Sequence, residues 1–122
     1  MKMKNLSCEE RIDEKLRSRI TEIEKVLNLY KNSEDGSFEY KDCRYENIID
    51  WINSYALSFS DHSKYRAKTL ELSWGGPADG FIFFEDGEIR YYFQDWSDGA
   101  ERTLSGKDRE ILEILREYLI IE

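Results

Sequence analysis

The sequence predicts an α+β domain: an antiparallel meander of three to four strands, with two helices before it and one after it. Three observations carry this. Apolar residues recur at steps of three and four up to residue 59, alternate singly from 70 to about 94, and return to helical spacing after 105. Short breaks containing Gly and Asp separate the alternating runs, so each strand turns back on its neighbour. Finally, the first and last helical patterns each follow a capping-box signature, Ser7-Cys8-Glu9-Glu10 and Ser105-Gly106-Lys107-Asp108.

The first helix is expected from residue 8 to about 31, because Ile12, Leu16, Ile20, Ile23, Leu27 and Tyr30 form one apolar stripe with Glu, Lys and Arg outside it. Asn32-Ser33-Glu34-Asp35-Gly36 ends it. Tyr45, Ile48, Ile49, Ile52, Tyr55, Ala56 and Phe59 repeat the same spacing, which predicts a second helix over 44–59 with Asp42 as its N-cap. After the polar break Ser60–Lys64 the period becomes two: Leu70, Leu72 and Trp74 alternate with Thr69, Glu71 and Ser73. Gly75-Gly76-Pro77-Ala78-Asp79-Gly80 interrupts the run. The segments 81–85 and 89–94 flank Asp86-Gly87, which predicts a two-residue type I′ hairpin because both of its central residues need positive φ. A fourth short strand is expected at Ala100–Leu104. Ile111, Leu112, Leu115, Tyr118 and Leu119 then mark the last helix.

Composition bounds the function. The 122 residues, 40% apolar and 36% charged, suit one folding domain over 1–122, and the mean hydropathy of −0.71 suits a well-solvated surface. No apolar run approaches a membrane span or a signal peptide, so no membrane association and a cytoplasmic location are expected. Cys8 and Cys43 allow at most one bridge and read as thiols. Residues 69–101 hold eight carboxylates against Arg90 alone, a local charge of −7 out of −8 overall. Direct nucleic-acid binding is therefore excluded, since phosphate binding needs a basic patch. The acids serve either as turn and edge residues or as a face for a basic protein surface.

No catalytic signature is present, and no cofactor or metal is expected. His62 stands alone in a polar loop, the Ser105-Gly106-Lys107 triplet is followed by Asp108 where a phosphate loop needs Ser or Thr, and Asp95, Asp98 and Glu101 lack the order of an EF-hand. The chain reads as a binding protein, not an enzyme. Eight aromatic residues fall between Trp74 and Trp96. If Phe81, Phe83, Tyr91 and Phe93 fill the core, Phe84 and Tyr92 lie on the other face of the sheet, where the chain's own helices, a second subunit or a ligand would cover them. Gly75-Gly76-Pro77 reads either as a tight strand connection or as backbone that approaches a ligand closely. The candidate ligand site is accordingly the Gly75-Gly76 backbone with Phe84 and Tyr92 for stacking and Arg90 and Arg102 for charge-assisted bonds to a phosphate.

The run Leu70-x-Leu72-x-Trp74-Gly75-Gly76-Pro77, then Asp79-Gly80-Phe81, then Tyr91-Tyr92-Phe93-Gln94-Asp95-Trp96 with Asp98-Gly99-Ala100-Glu101, resembles a family of short proteins of phages and other mobile elements with a G-G-P turn and a Q-D-W strand end. It covers about residues 69–104. Small phage proteins of this plan are similar in size to counter-defence factors: anti-Thoeris proteins that sequester cyclic ADP-ribose signals, and anti-CRISPR proteins that block an effector. The resemblance implies a non-enzymatic counter-defence protein acting in the host cytoplasm, which sequesters a cyclic nucleotide-type immune signal. The alternative is an acidic inhibitor that binds a bacterial defence protein such as a CRISPR effector. A homodimer or higher homo-oligomer is expected, because the first helix and both sheet faces offer more apolar surface than one small core absorbs. A structural oligomer with no ligand would follow if self-association took up all of that aromatic surface.

Overall fold

Ser7 starts α1 (Cys8–Lys31) as the sequence predicts: its hydroxyl accepts from the Glu10 amide at 3.2 Å, while the Glu10 carboxylate accepts from the Ser7 amide at 2.9 Å. The computed structural model describes residues 7–74 and 77–119. It is an α+β chain with three helices and two antiparallel sheets. The α1 stripe is buried along its length, with Ile12, Ile20 and Ile23 at 0–1% exposure. It lies against β6 (Ile89–Asp95) and β7 (Asp98–Thr103).

The segment after α1 departs from the expectation. Phe38–Tyr40 (β1) and Cys43–Tyr45 (β2) form a hairpin, and the second helix is only α2 (Ile48–Tyr55), capped by the Asn47 side chain on the Asp50 amide. Asp42 is no cap. It sits with Lys41 in the two-residue turn, both at positive φ (66° and 51°), the signature of type I′. Tyr45 matches helical spacing by coincidence, because its ring packs across the hairpin against Phe38, tilted at 34° with centroids 5.5 Å apart. Phe59 likewise leaves the helix and belongs to an edge strand, β3 (Ser58–Asp61), edge-on to Phe83 at 6.1 Å.

The meander therefore has five strands, not three or four: β3, β4 (Ala67–Ser73), β5 (Ala78–Phe84), β6 and β7 lie in sequence order, each antiparallel to the next. The β5–β6 hairpin forms, but not with the predicted turn. Phe83 pairs with Ile89, the Gly87 amide bonds the Phe84 carbonyl, and only Gly87 takes positive φ (98°). This is a three-residue loop, Glu85-Asp86-Gly87, closed by a glycine bulge. β7 runs over 98–103, and α3 (Gly106–Leu119) follows it. Two parallel bonds from Arg17 of α1 to the Asp108 carboxylate hold α3 in place.

Alternation splits the sheet as expected. Phe81, Phe83, Ile89, Tyr91 and Phe93 are buried beneath the helices, and each such side chain contributes about 1.5–3 kcal/mol. Ser60, Thr69, Glu71, Gly80, Ile82, Arg90, Tyr92, Gln94 and Glu101 alternate onto the opposite face, which no helix of the described residues covers. Gly80 is fixed there by a close approach: a Cβ would lie 2.3 Å from the Leu70 carbonyl and 2.8 Å from the hydroxyl of Tyr92, its cross-strand partner.

Candidate functional site

Of the residues the sequence singles out, Phe84, Arg90 and Tyr92 share the uncovered face, with the Arg90 guanidinium 4.7 Å from the centre of the Phe84 ring. Arg90 is already committed, bonded to Glu88 and, at 3.2 Å, to Glu101. Tyr92 lies across Gly80 beside carboxylates: burial first, then the charges of Glu71 and Asp79, push its hydroxyl up to about 12. The hollow around it, lined by Thr69, Glu71, Gln94 and Glu101 among others, presents acids where a phosphate would have to sit. Arg102 stands apart from this group. It alternates onto the helix side of β7 and ties α1 to the sheet through Glu9 at 2.8 Å and Asp13 at 2.9 Å. Gly75 and Gly76 lie outside the described residues.

On the helix side, the carboxylate of β5 sits at the centre of a bonded network. Asp79 is 4% exposed and accepts two bonds from Arg19 at 2.8 Å, one from the Tyr91 hydroxyl at 2.6 Å and one from Ser73. Burial alone would raise the Asp79 pKa, but these bonds outweigh it and hold the group below the usual carboxylate range. Arg19 also donates to the Tyr55 hydroxyl at 2.9 Å, and the Tyr55 ring stacks on Trp51. The four groups Arg19, Ser73, Tyr91 and Tyr55 thus lie in one bonded cluster around the carboxylate. The network ties α1 and α2 to the sheet and occupies the Asp79 carboxylate with four internal bonds.

The free cations lie elsewhere. Arg11, Arg17, Arg19, Arg90, Arg102 and Arg109 all pair with carboxylates. Arg44, Arg66 and Arg116 make no ion pair among the described residues; Arg44 donates to the Ser37 hydroxyl at 2.8 Å by the β1–β2 hairpin, while Arg66 and Arg116 both line one cavity of about 390 Å³, a size in the range of small-molecule sites. Three separated segments build it. The loop from β3 to β4 brings Tyr65 and Arg66; β3, β4 and β5 supply Phe59, Lys68 and Phe83; and α3 supplies Arg116. Lys68 is held by Asp61 at 2.9 Å and lies over the Phe59 ring, leaving Glu85 as the one carboxylate against two arginines.

His62 sets the shape of the loop. Its Nδ1 accepts from the Lys64 amide at 3.0 Å and the Tyr65 amide at 3.3 Å, and its ring stacks on Tyr65 at 4.6 Å. Tyr65, 44% exposed, in turn leans on Phe84 at 5.2 Å. An aromatic plane and two guanidinium groups thus converge on one opening, the combination expected of a site for a planar anion. Sequence reasoning missed it because its parts lie up to 57 positions apart, from Phe59 to Arg116. The one local signal was an aromatic-arginine pair, Tyr65-Arg66, next to the polar break.

Among the described residues no cluster of three or more His, Cys, Asp or Glu is arranged to hold a metal ion, and no helix is long and apolar enough to cross a membrane. Cys8 is buried and Cys43 exposed, both as free thiols. Compared with known proteins, the chain matches no family model, no curated protein and no solved structure.

Proposed function

We propose that the protein binds and holds a small planar, phosphate-bearing molecule of the cyclic nucleotide class, without turning it over, in the cavity bounded by Tyr65, Arg66 and Arg116. The observation that supports this reading is the convergence on an aromatic-lined cavity of two arginines that have no carboxylate partner among the described residues, whereas Arg90 and Arg102 are neutralised. The base would pack against the exposed part of the Tyr65 ring, and the phosphates would take charge-assisted bonds from the two guanidinium groups, each about 1.5–3 kcal/mol. Capture of an immune signal in this way would act as counter-defence, the role that the resemblance of the 69–104 segment implies. The site differs from the one the sequence suggests: Phe84 remains as the support behind Tyr65, while Arg90 and Arg102 keep their structural carboxylates.

Calorimetric titration with cyclic ADP-ribose tests it. Arg66→Ala and Arg116→Ala should each weaken binding at least tenfold, with unchanged thermal unfolding, while Arg102→Ala should leave affinity unaltered. Equal affinity in wild type and the Arg66→Ala/Arg116→Ala double variant would overturn the reading, as would absence of binding by the wild-type chain to cyclic ADP-ribose and to its linear form.

A further inference from the structure

The opposite end of the sheet carries a different surface. Trp74 follows the last residue of β4, and Trp96 opens the two-residue turn between β6 and β7, so both lie at the end away from Tyr65 and Arg66, about 20 Å along the strands. Trp74 is 62% exposed and Trp96 97% exposed, against 2% for Trp51. Ser73 pairs with Asp79 and Ala78 with Gln94, so Trp74 leaves β4 two strands from β6, and Trp96, two residues beyond Gln94, lies about 12 Å away.

Trp96 is unusual in a second way. Its φ is 60°, a conformation that glycine or asparagine adopts at little cost and a bulky residue does not, and at 97% exposure its indole buries almost no surface to offset the strain. Carboxylates outnumber cations around it: among the described residues Glu71 and Asp98 make no ion pair with a lysine or arginine, while Glu101 pairs with Arg90 and Asp95 with Arg11. The Asp98 carboxylate faces the Cys8 amide at the start of α1, whose first turn adds Glu9 and Glu10.

We propose that this end of the sheet is a docking surface for an arginine-rich protein face, with Trp96 and Trp74 as stacking anchors for guanidinium groups and the surrounding carboxylates as their counter-charges. An indole face binds a guanidinium better than an ammonium, because the planar ion both stacks and is more easily dehydrated. Charge selects this occupant over a second copy of the chain, which would bring the same carboxylates against themselves. The surface is separate from the Arg66 cavity, so either can fail without the other.

Nona-arginine serves as the probe, titrated calorimetrically into the full chain at moderate salt, with nona-lysine as the comparison. Saturable binding, several-fold weaker for nona-lysine and at least tenfold weaker in Trp96→Gly and in Trp74→Ala, is the expected result. Trp96→Gly relieves the positive φ, so loss of folding does not confuse it, and circular dichroism confirms the fold of both variants. Equal affinity for both peptides, or unchanged affinity in the Trp96→Gly/Trp74→Ala double variant, would reduce the binding to net charge and overturn the proposal. A wild-type dimer by light scattering that Trp96→Gly converts to monomer would assign the surface to a second copy and overturn it as well.

Discussion

Asp79 and Arg19 lie 60 positions apart in sequence and meet in two parallel bonds under the sheet, with Tyr91 and Ser73 filling the remaining acceptor positions. Removing one partner of such a pair leaves the other charge buried and unpaired. Asp79→Asn should therefore destabilise the chain by about 3–5 kcal/mol, while Asp79→Asn combined with Arg19→Met should recover much of that loss, as read by urea unfolding. The same carboxylate makes stability depend on acid. Because its folded pKa is held below the usual value of 3.8, its contribution is fully present above that value and is lost as pH falls from about 4 through the folded pKa. Unfolding midpoints measured from pH 6 down to 2 should drop over this window in the wild type and drop less in Asp79→Asn. Composition and periodicity give no sign of this pair. A buried carboxylate in a G-P-x-D-G segment reads as a turn residue until α1 is laid over it.

The turns show most clearly what a sequence holds about elements. The Asp86-Gly87 dipeptide marks its hairpin correctly, yet the turn there is a three-residue loop with glycine at the positive φ, whereas the type I′ geometry belongs to Lys41-Asp42, which carries no glycine. Both Lys41 and Asp42 bear left-handed strain, so Lys41→Asn/Asp42→Gly should raise stability by about 1 kcal/mol in thermal unfolding. Gly80→Ala should lower it by about 3 kcal/mol, since the new methyl meets the Leu70 carbonyl and the Tyr92 hydroxyl. Trp96→Gly should instead raise it by about 1 kcal/mol, because strain is relieved and no buried contact is lost. The long helices and the central strands were legible because their apolar periods run over many residues: Ile12 to Leu27, and Leu70 to Phe93. The short elements were not. Three-residue strands and the four-residue β3 hold too few positions for period two to be told from a fragment of helix, and Tyr45 and Phe59 fit both.

Taken whole, the molecule is polar from end to end along its strands. Arg66 and Arg116 line the cavity beside Tyr65 and Glu85, and Glu71, Asp95 and Asp98 lie with the exposed tryptophans at the other end. Salt should separate the two sites. Association of nona-arginine, driven by several exposed charges, should weaken steeply as salt is raised, while an enclosed, stacked nucleotide at the arginine cavity should weaken less; parallel titrations at low and high salt check this. Net charge and acid clustering were legible from the sequence. The placement of the free arginines was not, because which arginines are neutralised depends on contacts such as Arg102 with Asp13 and Arg11 with Asp95, each more than 80 positions apart. The knot at Asp79 has one more consequence, and it concerns the order of folding. The β3 to β7 meander is built from neighbouring hairpins and can zip locally, so it forms early, whereas the clasp from Arg19 must wait until α1 docks. Only one register of β5 offers a carboxylate to that guanidinium, so the clasp closes on correctly paired sheets and leaves slipped ones unlocked. Its loss should accelerate unfolding far more than it slows folding, making Arg19 a late latch that sets how long the native state lasts.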